Sequence, residues 1–179
     1  MNAWTGIAVA LGLAATPVTA AVIVDTGQSP YVGKAGMNID PIRIAAGFHT
    51  SAATLTKVEW GIGAPFSAVG GARQLFTFHI VLYRANGAVP GAELYSAEAR
   101  FNGQPGWHGV DGLAWKVPAG DYFVAVELRE GDACECVVSE TTPRPLPLYA
   151  VAARADLPYI ASPQPLGSAV RIEGTLTPP

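Results

Sequence analysis

The sequence predicts an all-β fold, an antiparallel β-sandwich with a jelly-roll-like arrangement, on three observations. Phe76–Tyr83 alternates, with Phe76, Phe78, Ile80 and Leu82 on one face of an extended chain and Thr77, His79, Val81 and Tyr83 on the other. Side chains alternate with period two in a strand, so this is a central strand with one face committed to a core. Next, 20 glycines and 15 prolines cut the chain into short segments, as turns between many strands require. Finally, no stretch beyond the N-terminal leader sustains a helical period.

Composition narrows the class. Half of the 179 residues are apolar and 14% are charged, which excludes a disordered chain. The length suits one domain. A domain of about 150 residues buries roughly 68–70% of its unfolded surface, enough for a core without a metal or cofactor. A net charge of −3 with no basic cluster argues against nucleic acid as a partner.

The elements follow in order. Met1–Ala20 has no charged side chain. Ile7–Ala15 is a short apolar run, Pro17 breaks it, and Val18-Thr19-Ala20 offers small residues for cleavage, as in a secretory signal over residues 1–20. The basic residue usual ahead of the apolar run is missing. The uncharged run from Ala3 to Val24 is also long enough to span a bilayer as an anchor. Cleavage after Ala20 is preferred, because Val22-Ile23-Val24 makes a good first strand and Pro17 is a poor helix centre. The mature domain is then 21–179, secreted or at the cell surface, with no membrane span.

Asp25–Pro41 is turn-rich and reads as a loop or edge segment. Ile42–His49 is strand-like. Leu55–Ile62 alternates, Val58, Trp60 and Ile62 against Lys57, Glu59 and Gly61, a strand with one wet side. Gly61–Gly71 reads as a turn cluster. Asn86-Gly87 and Pro90-Gly91 turn the central strand back into Ala92–Phe101. Asn102–Gly112, with four glycines, reads as a loop carrying Trp107, and Leu113–Val117 as a short strand. Tyr122–Arg129 alternates again, and Cys134–Val138 is a further candidate strand. Thr142–Pro147 is an irregular crossover. Leu148–Ala153 fits a strand or one helical turn, and Leu157–Gly167 is Pro-rich. Val170–Leu176 is the last strand, with Val170, Ile172, Gly174 and Leu176 inward and Arg171 and Glu173 outward. The total is eight or so strands.

Several short motifs occur in a particular order: Ala45-Ala46-Gly47-Phe48, Ala53–Gly61, Phe78–Tyr83, Pro90-Gly91-Ala92-Glu93-Leu94, Pro118–Phe123 and Arg171-Ile172-Glu173-Gly174. Over residues 22–176 the chain resembles the bacterial secreted choice-of-anchor domains found in PEP-CTERM-sorted surface proteins. The resemblance implies an exported β-sandwich of unassigned function. Its motifs are structural. Those proteins usually continue into an anchoring tail, whereas this sequence stops at Thr177-Pro178-Pro179.

Candidate chemistry is sparse. Val22–Gly27 resembles the hydrophobic-Asp-Thr-Gly triplet of aspartic peptidases, in which two aspartates share a proton and activate water. No second such triplet occurs, and Gln28 follows where a small residue is usual, so a turn ending the first strand is preferred for Asp25. Cys134 and Cys136 are the whole cysteine complement. Two residues apart in a straight strand, their Cα atoms would lie about 6.6 Å from each other. A bridge wants Cβ atoms about 3.8 Å apart. It therefore requires a bend, which Gly131-Asp132 supplies, and an oxidising compartment favours it over free thiols. His49, His79 and His108 have no metal-ligand spacing, so no metal is expected. Asp111, Asp121, Glu130 and Asp132 sit at turns without the spacing of a calcium loop and read as solvated carboxylates. A Ser–His–Asp arrangement is not ordered in the sequence, though one can assemble in space around a histidine.

Trp107, next to His108 on a glycine-rich segment, offers a ring for a sugar face, joined by Tyr31 and Tyr159 if their loops gather at one end. For the ring itself the preferred reading is a Trp folded over the core end with its N–H bonded to a carbonyl, because aromatic side chains bury large areas and dominate cores. Trp60 and Trp115 lie on strands and read as core. The expected function is a non-catalytic surface or extracellular binding module for carbohydrate. A structural matrix component binding proteins is the second reading, and a hydrolase centred on Asp25 the third.

Overall fold

The computed structural model describes residues 20–27, 36–38, 42–63, 76–132, 134, 136–139, 143–163 and 167–178. The proposed leader, Tyr31 and most of the Gly61–Gly71 cluster lie outside the described residues. The described chain forms twelve strands: β1 (Ala21–Asp25), β2 (Gly36–Asn38), β3 (Arg43–Thr50), β4 (Ala53–Gly63), β5 (Phe76–Asn86), β6 (Val89–Phe101), β7 (Gly106–Val117), β8 (Gly120–Glu127), β9 (Val137–Ser139), β10 (Leu148–Ala152), β11 (Ile160–Ala161) and β12 (Val170–Leu176). No described residue is helical, so Leu148–Ala152 is a strand, paired with β3.

All strand pairs are antiparallel, and they make two sheets. One runs β1-β12-β4-β9-β2, with β7 also paired to β4; we call it the β4 sheet. The other, the β5 sheet, runs β11-β10-β3-β8-β5-β6. Trp60 faces both His108 and Val170, and Ile62 both Gly106 and Val138. β12 and β9 therefore flank β4 on one side and β7 flanks it on the other.

The predicted alternation places the core. Phe78, Ile80 and Leu82 of β5 meet Val58, Trp60 and Ile62 of β4 in one cluster, with Tyr122, Val124 and Val126 of β8 and Ile172 of β12, all buried. Each such large apolar side chain contributes about 1.5–3 kcal/mol by leaving water. Along the β6 and β7 side, Tyr95 stacks on Trp115 at 5.5 Å between centroids and donates its hydroxyl to the Lys116 carbonyl at 3.0 Å. That contact closes the sandwich where the chain passes from one sheet to the other.

The structure corrects four expectations. The Asn102–Gly112 loop is mostly strand: β7 starts at Gly106 and carries Trp107, with Gly109 needed for contact rather than for turning. A Cβ on Gly109 would lie 1.9 Å from the Val58 carbonyl oxygen on the neighbouring strand. Gly61 to Gly63 belong to β4, and a Cβ on Gly61 would meet the Ala169 Cβ at 2.6 Å. Glycine inside a strand marks close approach as often as a bend. Leu176, expected inward, is 48% exposed at the end of β12, beyond a register shift at Glu173/Gly174. The fourth concerns the outer face of the β5 sheet, since the reading of Phe76–Tyr83 committed only its other face to a core. Ala45, Val81, Tyr83, Phe123, Ala125 and Ala150 form a second buried cluster there, against Tyr159 from the segment that follows β10.

Candidate functional site

The outer face of the β4 sheet is built by register. Asp25 faces Arg171, Arg171 faces Glu59, and Glu59 faces Gly109. One row along, Val22 faces Glu173, Glu173 faces Lys57, and Lys57 faces Asp111. Each row of charges alternates negative, positive, negative, the arrangement that cross-strand neighbours favour. Lys57 Nζ lies 3.1 Å from Glu59 Oε2, which is buried and not aligned for a hydrogen bond with it. Arg171 lies 3.9 Å from the same oxygen and 3.7 Å from Asp25 Oδ2.

Trp107 belongs to this face. Its partner across the ladder is Gly61, and the space a side chain there would fill is taken by the Ala169 methyl ahead of β12. The Arg171 guanidinium lies over the ring, 4.6 Å from its centroid. A cation on an aromatic face is worth about 0.5–1 kcal/mol at an exposed site. The half-buried ring is thus braced by Arg171 and sits beside the flat strip at Gly109. Four carboxylates against two cations leave the face net negative. Such a surface offers an aromatic plane, several acceptors and two donors. It suits a neutral polyhydroxylated ligand better than a polyanion.

The other singled-out residues lie elsewhere. His108 turns to the opposite side of β7, edge-on to the buried Phe101 at 4.8 Å, with Nε2 2.7 Å from the Gln104 carbonyl oxygen. Tyr159 lies over the outer face of the β5 sheet, across the sandwich from Trp107, so these two do not gather into one patch. Tyr31 is outside the described residues. Asp25 ends β1 and accepts the Gly27 N–H at 2.8 Å, with Gly27 at φ +78°, as a turn requires. Thr26 is buried, its hydroxyl donating to the Val170 carbonyl and accepting the Val170 N–H. These are the contacts of a strand-ending turn stitched to β12. Among the described residues no carboxylate bonds to Asp25. Cys134 and Cys136 are joined, with Cα atoms 5.0 Å apart, nearer than a straight strand allows. His49 Nδ1 lies 2.8 Å from Asp121 at the exposed sheet end. His79 Nδ1 lies 2.8 Å from Asp132, which also accepts the Arg129 N–H. Among the described residues no group of three metal-ligating side chains forms. No described helix is long and apolar enough to cross a membrane.

Sequence reasoning missed the Glu127 network. Alternation places Glu127 outward on β8, yet it is 4% exposed. Its Oε1 accepts the hydroxyls of Tyr83 and Tyr159, both at 2.6 Å. Arg43 Nη1 stands 4.0 Å from Oε1 and Arg129 Nη2 3.9 Å from Oε2. Arg43 also donates to the Leu157 carbonyl and lies over the Tyr159 ring, 4.7 Å from its centroid. Burial, then the hydrogen bond and charge of Glu127, hold the Tyr83 hydroxyl protonated well above the usual tyrosine range. Burial and then the Glu127 charge do the same to Tyr159. The arrangement ties the segment after β10 down onto the sheet. Its only signal in the sequence was a lone acid in an otherwise apolar strand, Tyr122–Leu128.

Comparison with known proteins adds no assignment to this geometry: no protein family, curated protein or solved structure matches the chain at a significant level.

Proposed function

We propose that the chain is an exported, non-catalytic binding module of the cell surface or extracellular space, and that it takes carbohydrate on the outer face of the β4 sheet. One observation carries the reading: the Trp107 indole lies on a sheet face, braced by Arg171 at 4.6 Å, beside two rows of charged groups. The C–H face of a pyranose packs on such a ring while its hydroxyls bond to carboxylates and a guanidinium. Pre-formed sites combine an aromatic surface with a few fixed polar groups in this way. The net negative charge selects neutral glycans.

A glycan array followed by titration calorimetry tests it. Neutral glycans should give signal, and Trp107→Ala should lower affinity at least tenfold, with Trp107→Phe between the two. The absence of any glycan signal from the folded protein, or Trp107→Ala binding as the parent does, would overturn the reading. One observation favours the second reading, a matrix component that binds proteins. Val22 is 64% exposed on β1, which among the described residues pairs only with β12. An apolar, one-sided edge strand accepts another chain's strand.

A further inference from the structure

We infer that Asp111-Gly112, on β7, is a self-modifying site, at which the folded chain converts Asp111 to isoaspartate without an enzyme or cofactor. The inference starts from how β7 lies on β4. From Leu55 to Lys57 β4 advances two residues, while β7 covers four, from Trp115 to Asp111. The surplus bulges out at Gly112, Leu113 and Ala114, and no residue of β4 faces Gly112. There the Gly112 N–H donates to Oδ1 of the residue before it, Asp111, at 2.7 Å. Both residues are exposed. Gly112 stands at φ +71°, and a Cβ on it would meet nothing within 4 Å.

That contact brings a nucleophile to an electrophile. The Gly112 nitrogen lies beside Asp111 Cγ, close to an arrangement from which a bond forms. Glycine puts no Cβ in its path. When the nitrogen attacks the protonated carboxyl, the N–Cγ bond forms and a Cγ–O bond breaks. The hydroxyl leaves with the amide proton as water. Water then opens the five-membered imide. Addition at Cγ restores aspartate, whereas addition at the main-chain carbonyl carbon of Asp111 leaves the chain running through Cγ, which is isoaspartate. One water leaves and one enters, so the mass is unchanged. The backbone of β7 becomes one carbon longer opposite Lys57, and the carboxylate moves. The two Asn-Gly steps are arranged differently. Asn86 pairs with Val89 across a two-residue turn, and Asn102 Oδ1 accepts the Gln104 N–H at 3.1 Å. The inference does not depend on what the open face binds.

The test keeps the folded, full chain warm at neutral pH for several weeks, beside a synthetic peptide of residues 108–116. Peptide mapping with electron-transfer fragmentation then locates isoaspartate. It should accumulate at Asp111 in the folded chain at no less than about a tenth of the peptide's rate, because the fold already holds the reacting atoms together. Asp111→Glu keeps the charge but needs a six-membered ring, and should give about tenfold less product at this position. A folded-chain rate below a tenth of the peptide's, or as much product from Asp111→Glu as from the parent, would overturn the inference. Should Asp111→Glu not fold, the comparison of the parent with the peptide decides alone.

Discussion

The two outer faces of this sandwich follow the same rule of alternation and come to opposite ends. On the β4 sheet the outward positions are Lys57, Glu59, Arg171 and Glu173, and the face stays open. On the β5 sheet they include Val81, Tyr83, Phe123 and Ala125, and a later segment covers them. Apolar surface left by one set of strands is buried by whatever chain can reach it, since burial is the dominant favourable term. The acid buried among them, Glu127, must find donors, because a buried unpaired charge is costly. Tyr83 and Tyr159 supply them. Charge on the open face meets water, whereas charge on the covered face acts as a clasp.

The sharpest way to break this comparison is to remove one acid from each face. Glu127→Ala strands two tyrosine hydroxyls and leaves Arg43 unbalanced, and should cost about 3 kcal/mol by the precedent of broken buried pairs. Glu59→Ala removes a largely buried acid with no hydrogen bond to its Oε2, but it leaves Lys57 and Arg171, 26% and 31% exposed, able to rehydrate, and should cost only about 1 kcal/mol. Urea denaturation of both variants gives the two figures, and equal costs would show that the faces do not differ in this way.

A second, smaller difference appears in alkali. Tyr83 and Tyr159 have folded-state pKa values raised above those of the unfolded chain. Their contribution is fully present below about pH 10, the ordinary tyrosine value, and is lost as pH rises beyond it. Above that point the unfolded chain releases protons that the folded one keeps, so stability falls by at most about 1.4 kcal/mol per pH unit for each tyrosine. Denaturation midpoints at pH 9 and pH 11 should separate for the parent and separate less for Tyr159→Phe. An identical separation in the variant would remove Tyr159 from the clasp.

What was legible in the sequence divides along the same line. β5, β8 and β12 were plain, because alternation records the side of a strand that meets the core. The first half of β7 was read as a loop because Gly106, Gly109 and Gly112 interrupt its rhythm. Gly109 is there for the close passage of β4, a demand set by a partner distant in sequence. The second apolar cluster and the Glu127 clasp were hidden for a related reason. Whether an outward Val81 or Phe123 stays wet depends on where residues near Tyr159 come to rest, and no local pattern contains that. Trp107 was visible as an aromatic worth noticing, but the guanidinium that braces it comes from β12. Tyr159 and His108 shared its residue chemistry and not its face, so the expected cluster did not form.

The smallest effect sharpens the open face. Arg171 touches Trp107, Glu59 and Asp25 at once, at distances of 4.6, 3.9 and 3.7 Å. None of these is a close hydrogen bond, and the side chain is 31% exposed. Arg171→Ala should therefore cost about 0.5–1 kcal/mol, the sum of a cation–π contact at a partly exposed site and weak screened pairs. Its effect on ligand binding should be larger than its effect on folding. Without the guanidinium the indole loses the group that holds its orientation, and the face loses one of its two donors. Arg171→Lys keeps the charge but not the planar stack, and should recover stability more fully than affinity. Calorimetric affinity for a neutral glycan, measured beside the urea midpoint, separates these roles. A variant that loses stability and affinity in equal proportion would make Arg171 part of the scaffold alone.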